Sequence, residues 1–258
     1  MTLELNFKTF QLFNHKTLYF TVSLNLTRIQ SPVSRLISPV SSMKILKAII
    51  FDMDGTLVDN IPFHRDAWLA FLKKQGIHLN ESEFHAQNHG NIDEMMRRFF
   101  PHIQDKQVLY DLGQEKERTY RELYRPHIRE VHGLTPYLQV MQSKGIQALL
   151  ATMGDPPNID FTLDSLGIRS YFSFTTGGHE VIKGKPDPEI FLLSMQKAGL
   201  RPEECLVIED SQGGILAAKR AGIKVVGIST SESKETLLSL GCDGVVGDFE
   251  ELGRVMFG

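Results

Sequence analysis

Residues 45–51, Ile-Leu-Lys-Ala-Ile-Ile-Phe, form a nearly unbroken apolar run that meets Asp52, Met53, Asp54 and Gly55 without an intervening loop. A run this short and this apolar suits a strand buried on both faces, the condition of a central strand in a parallel sheet. Similar runs return at Ile146–Ala151, Tyr171–Phe174, Cys205–Ile208, Val225–Ile228 and Gly244–Val246, separated by helical patterns such as Pro188–Ala198 and Gly213–Ala221. Strand and helix alternate, which predicts an α/β fold: a three-layer, Rossmann-like parallel sheet core with right-handed crossovers.

Residues 61–128 break that rhythm. Helical patterns cover Pro62–Gln75, Asn91–Phe100 and Gln104–Arg125, with no convincing strand between them. The segment leaves just after the first strand and returns just before the second. It is therefore expected as a helical cap over the carboxyl ends of the strands, where open α/β sheets bind ligands. Gly133 and Pro136 mark the re-entry and Thr135–Lys144 reads as the helix before the second strand, so residues 43–60 and 129–258 make up the core.

Asp52 and Asp54 lie just past a buried strand, where two carboxylates can face one pocket and Gly55 permits an abrupt turn. A lone Asp in such a place is usually a turn or cap residue. Glu209 and Asp210, however, follow the strand Cys205–Ile208 in the same way, ahead of Ser211, Gln212, Gly213 and Gly214. Hard oxygen ligands at the ends of two parallel strands are what Mg²⁺ requires. Thr152, at the end of Ile146–Ala151, and Lys185, in Lys-Gly-Lys-Pro-Asp-Pro at 183–188, can hold phosphate oxygens. Taken singly, Lys185 reads as a solvated loop lysine and Thr152 as a strand-end hydroxyl bonded to backbone.

Four ordered segments, FDMDGTLVDN at 51–60, ATMGD at 151–155, KGKPDPEIF at 183–191 and VIEDSQGG at 207–214, resemble the motifs of the haloacid dehalogenase superfamily. The resemblance covers residues 44–252, and the insertion resembles the cap of its beta-phosphoglucomutase-like and sugar-phosphate phosphatase branch. It implies that Asp52 attacks phosphorus, that Asp54 protonates the leaving oxygen and then activates water, and that Thr152 and Lys185 bind the phosphoryl group. It also implies Mg²⁺ held by Asp52, the backbone carbonyl of Asp54 and Asp210, with Glu209 acting through water. A second aspartate at position 54 favours phosphoryl transfer over carbon–halogen chemistry.

In the same branch, PFHRDAWLAFLKKQGI at 62–77 resembles the first cap helix, which places His64 and Trp68 on a cap histidine and tryptophan, and Lys116 falls on a cap lysine. Each has a plainer reading: His64 near a helix start, Trp68 as a core anchor, Lys116 on a solvated helix face. The mutases of the branch use an arginine after a glycine-led turn. Gly90-Asn91-Ile92-Asp93-Glu94 supplies none, and Arg97 or Arg98, one helical turn later, are the possible substitutes. The expected activity is thus Mg-dependent hydrolysis of a small phosphorylated metabolite, a sugar phosphate by preference. A beta-phosphoglucomutase-type phosphomutase is the first alternative, and a catalytically idle protein binding metal and phosphate is the second. Oligomeric state is not legible.

The formal net charge of −3 and the absence of basic clusters give no reason to expect nucleic acid. No stretch approaches the roughly 20 apolar residues of a spanning helix, so no membrane partner is expected. Cys205 and Cys242 are two isolated thiols, neither a disulfide framework nor a metal finger. Residues 1–42 differ from the rest, with Lys8, Lys16, Arg28 and Arg35 against the single acid Glu4 and no sustained apolar period. They read as an organelle-targeting segment, a disordered tail, or the product of an upstream start with Met43 as the natural one. The last is preferred, and with it a cytoplasmic location. A chain beginning at Met43 is accordingly expected to keep full activity and a thermal midpoint within ~5 °C of the full-length protein, a larger drop marking the segment as structural.

Overall fold

A computed structural model describes residues 46–258. The segment 1–42, with its competing readings, and the residues 43–45 that open the core lie outside the described residues. Six strands, β1 (Ala48–Phe51), β2 (Gln147–Ala151), β3 (Phe172–Thr176), β4 (Cys205–Glu209), β5 (Lys224–Ile228) and β6 (Gly244–Val246), form one parallel sheet in the order β3-β2-β1-β4-β5-β6. All six apolar runs are strands. The third shifts toward its carboxyl end because Arg169–Tyr171 closes as a 3₁₀ turn.

The period of two along each strand divides the core into two layers. Ile49 and Phe51 of β1 join Leu150, Leu206 and Ile208 on one face, covered by helices α5 (Leu134–Ser143), α6 (Pro156–Leu166) and α10 (Phe249–Phe257). Ala48 and Ile50 join Leu149, Val207 and Val225 on the other, covered by α7 (Glu189–Ala198), α8 (Gln212–Arg220) and α9 (Lys234–Ser239). This is the expected α/β sandwich. Strands buried on both faces need continuous apolar sequence, and that is why they could be read directly.

Between β1 and α5 stand four further helices, α1 (Ile61–Lys74), α2 (Glu81–His85), α3 (Ile92–Phe99) and α4 (Lys106–Tyr124). Asn80 and Asn91 start α2 and α3 with complete capping boxes, and Asp105 caps α4. These helices bury a cluster of their own around Trp68, Phe71, Phe84, Met96, Phe99 and Leu109. Trp68 contacts Phe71, Phe84 and Phe99 with ring centroids 6.1, 6.2 and 5.5 Å apart. The tryptophan is thus a core anchor of the insertion. Trp68→Ala is expected to cost about 3 kcal/mol of stability, read as a lower urea midpoint, and an unchanged midpoint would show that this cluster is not what holds the helices together.

Candidate active site

The strand order reverses direction of winding between β1 and β4, and the crevice at their carboxyl ends is where such sheets take ligands. Phe51 and Ile208 are in register, and the Asp52 amide extends the pairing by donating to the Ile208 carbonyl at 3.1 Å. Asp52 is therefore set beside Glu209 and Asp210. Gly55, at φ 82°, makes the turn that follows. A Cβ there would overlap the Asp210 carboxylate, so this glycine is required on two counts.

Lys185 lies buried among the acids. Its Nζ donates to Asp52 Oδ1 at 2.5 Å, to Glu209 Oε1 at 2.7 Å and to the Ala151 carbonyl at 3.2 Å. The second Glu209 oxygen accepts from the Ser211 amide at 2.8 Å and hydroxyl at 3.0 Å. Asp210 accepts from the Thr56 hydroxyl at 3.2 Å and from Ser231. Thr152 is buried, and its Oγ1 accepts the Gly154 amide at 3.0 Å.

Carboxylate oxygens of Asp52, Glu209 and Asp210 lie within 4.8 Å of one another. Three buried carboxylates thus face one ammonium. Burial raises Asp52, Lys185 opposes that, and Glu209 and Asp54 add to it, leaving the group at about 8. Burial, with Glu209 and Asp52, likewise pushes Asp210 well above the ordinary range, against the Ser231 hydrogen bond. Burial disfavours the Lys185 ammonium, but Asp52 and Glu209 outweigh it and raise the group. The surplus negative charge and all-oxygen donor set fit a hard divalent cation.

Asp54 has different neighbours. Its Oδ1 accepts Asn60 Nδ2 at 2.6 Å, and Asn60 Oδ1 in turn accepts the Gly55 amide at 3.1 Å. His64 Nε2 lies 3.4 Å from the same Asp54 oxygen, without hydrogen-bond geometry. Burial alone would raise this carboxyl, but His64, Asn60 and Lys116 outweigh it and hold it below the usual range. The His64 ring stacks on Tyr120 at 3.6 Å, and its Nδ1 lies 3.1 Å from Lys116 Nζ. The ring is thus held between Lys116 on one side and Asp54 on the other.

Several expectations need correction. Lys116 is not on a solvated face: it is 1% exposed, with Nζ 4.8 Å above the Trp68 ring. Trp68 meets Lys116 through that ring face. Arg97 pairs with Asp93 on the surface, and Arg98 donates to the Gln87 and His89 carbonyls, so neither arginine points a free head at the carboxylates. The Asp54 carboxyl lies outside the group formed by Asp52, Glu209 and Asp210, in keeping with an expectation that concerned its backbone carbonyl. Asn60, Tyr120 and Ser231 were missed. Tyr120 had a signal: with Leu109, Gly113, Lys116 and Tyr124 it falls on the buried stripe of α4. An open groove bordered by Ile182, Lys183, Asp187 and Leu192 has none of the site carboxylates in its lining.

A family model described as haloacid dehalogenase-like hydrolase matches residues 46–222. The chain belongs to that family. It is 33% identical over 187 residues to a phosphorylated carbohydrates phosphatase of Thermotoga maritima, spanning 69% of this chain and 83% of that one. It is 30% identical over 182 residues to a fructose-1-phosphate phosphatase of Escherichia coli, spanning 70% and 95%. Among solved structures, a beta-phosphoglucomutase from Clostridium difficile is similar at 25% identity and TM-score 0.70, over 82% of this chain and 97% of that one. The likeness to named phosphatases agrees with the expectation of a phosphoric monoester hydrolase. Among the described residues no helix is long and apolar enough to cross a membrane.

Gly214 gives a test of the acidic trio. A Cβ at this position would overlap the Glu209 carboxylate, whereas one at Gly213 would meet nothing closer than 3.7 Å. Gly214→Ala should weaken divalent-cation affinity about 10-fold or more in calorimetric titration, as loss of ligand support generally does, while Gly213→Ala should leave it nearly unchanged.

Proposed function

We propose that this protein is a Mg²⁺-dependent phosphatase, acting on a small phosphorylated metabolite of the sugar-phosphate class through a phosphoaspartate on Asp52. The observation that carries the reading is the separation of the two aspartates. Asp52 shares Lys185 with Glu209, while Asp54, two residues on, faces Asn60 and His64. One carboxylate is thereby equipped as nucleophile and the other as proton carrier.

Asp52, Asp210 and the Asp54 carbonyl would hold Mg²⁺, with Glu209 behind them. When bound, the ion offsets charge between the carboxylates and the phosphoryl oxygens. The Asp52 carboxylate forms a bond to phosphorus as the ester P–O bond breaks, and the departing oxygen takes its proton from Asp54. Ionised Asp54 then removes a proton from water, which attacks the phosphoaspartate, releases inorganic phosphate and restores Asp52. Without substrate Asp54 is held ionised. An anionic phosphate beside it favours the protonated form that the first step needs. Thr152 and Lys185 bind the phosphoryl oxygens, and helices α1–α4 form the cap over them.

Hydrolysis rather than mutase chemistry is favoured by the glycine-led turn. In place of a cation it presents Glu94, whose Oε2 accepts the Gly184 amide at 3.1 Å and the Asn91 amide at 2.7 Å. A mutase must hold a second phosphate and exclude water while the intermediate turns over. Such a substrate would find a carboxylate at this turn. The family resemblance and the fully retained set of Asp52, Asp54, Thr152, Lys185 and Asp210 speak against an idle binding protein, and a cytoplasmic location is part of the same reading.

Incubation with beta-glucose 1-phosphate, Mg²⁺ and a trace of glucose 1,6-bisphosphate should release inorganic phosphate faster than glucose 6-phosphate appears. Asp52→Asn should abolish turnover without unfolding, and mass analysis of trapped enzyme should find phosphate on the Asp52 peptide of the wild type alone. Isomerisation at ~1–1,000 per second with negligible phosphate release would make the protein a mutase, and label on another residue would remove Asp52 from its role.

A further inference from the structure

The insertion meets the core along one face of α4. Gln114, Glu117 and Arg121 follow one another at helical spacing, and opposite them stand Asp155, which caps the start of α6, and Asn158 in its first turn. Gln114 Nε2 donates to Asp155 Oδ2 at 2.8 Å. Asn158, 1% exposed, is used at both ends of its amide: Nδ2 donates to Glu117 Oε2 at 2.7 Å, and Oδ1 accepts from Arg121 at 2.7 Å. No other orientation of the amide satisfies both partners, because a carboxylate only accepts and a guanidinium only donates.

The contact does not end there. Glu117 Oε1 accepts from Lys116 Nζ at 2.9 Å, and Lys116 donates to His64 Nδ1, whose other nitrogen lies toward Asp54. Lys116 and Glu117 are both buried, so each depends on its partners for charge compensation and orientation. A continuous line of polar contacts runs from α6, the helix that follows Thr152, through α4 and α1 to Asp54. Nothing in the phosphoryl-transfer chemistry calls for Asn158, and its sequence context, Pro156-Pro157-Asn158 in the first turn of α6, reads only as a helix start.

We propose that Asn158 is a positioning residue that fixes Glu117, and through it Lys116 and His64, in register over Asp54. It acts on the reaction through these side chains and touches no reacting atom. The proposal rests on Asp54 being the proton donor to the leaving group. Its consequence is a defect graded by leaving group: p-nitrophenolate departs without a proton, whereas phenolate, more basic, benefits from one.

The test compares kcat/KM for phenyl phosphate and p-nitrophenyl phosphate, two esters of similar shape, in wild type, Asp54→Asn, Asn158→Ala and Asn158→Asp. The ratio of the two constants is independent of the fraction of enzyme that is folded, so simple destabilisation leaves it unmoved. Asn158→Ala is expected to lower the phenyl to p-nitrophenyl ratio about 10-fold, part of the ~10²–10⁴ that general acid catalysis contributes. Asn158→Asp keeps an acceptor for Arg121 but sets a like charge against Glu117, and should lower the ratio in the same way even if the alanine variant does not fold. A lowered ratio in Asp54→Asn with an unchanged ratio in both Asn158 variants would overturn the inference and leave the proposed chemistry standing. An unchanged ratio in Asp54→Asn would overturn both.

Discussion

The site depends on one ammonium lodged among carboxylates. Lys185 Nζ reaches the Ala151 carbonyl at the end of β2, Asp52 after β1 and Glu209 at the end of β4, so it ties together the ends of three adjacent strands. Two unit charges ~4 Å apart interact by about 4 kcal/mol even at an effective dielectric of 20. That is comparable to the stability of a whole domain. Three acids that share a buried cleft either take up protons, as the raised Asp52 and Asp210 show the pressure to do, or gain a cation between them. The remaining imbalance is what suits the cleft to the divalent ion and phosphoryl group proposed for it, beyond a structural ion pair.

The fold delivers this arrangement by placing every polar demand at one end of an otherwise apolar sheet. Ile49 and Phe51 serve one layer and Ala48 and Ile50 the other, which leaves β1 no polar group until Asp52. Close approach is then managed by glycine. Gly55 lets the turn pass against Asp210, and Gly214 lets α8 start against Glu209. Both glycines lie within segments that sequence alone marks as chemistry.

Much of this was legible because the parallel sheet writes itself as continuous apolar runs and the acids interrupt those runs abruptly. The insertion was harder to read. Charge around Lys116 allowed a solvated face, although Lys116 and Glu117 both fall on the same stripe of α4 as Leu109, Gly113 and Tyr120. Their burial is decided by partners on α1 and α6, far away in sequence, and no local period reports that. Asn60 and Ser231 are small polar residues in loops, a composition shared by every turn, so only the folded chain distinguishes them. Arg97 and Arg98 err in the opposite direction. Their charge invited a functional reading, but the nearest acceptors, Asp93 and the Gln87 and His89 carbonyls, belong to the insertion's own surface.

The two kinds of packing in the insertion differ in what they cost to remake. Trp68, Phe71, Phe84 and Phe99 form a core internal to the helices, which stays buried wherever the helices stand relative to the sheet. Against the core domain the insertion offers Tyr120 and Tyr124 to Phe161, and beside them the polar contacts of Gln114, Glu117, Arg121 and Glu94. A hydrogen bond exchanged with water gains only about 1 kcal/mol net, whereas each aromatic removed from the internal cluster would forfeit several times that. Separating the helices from one another would therefore cost more than separating them as a body from the sheet. If the insertion is the cap proposed above, an interface of this composition would favour opening as a body over unfolding, because most of its contacts are repaid by water on opening.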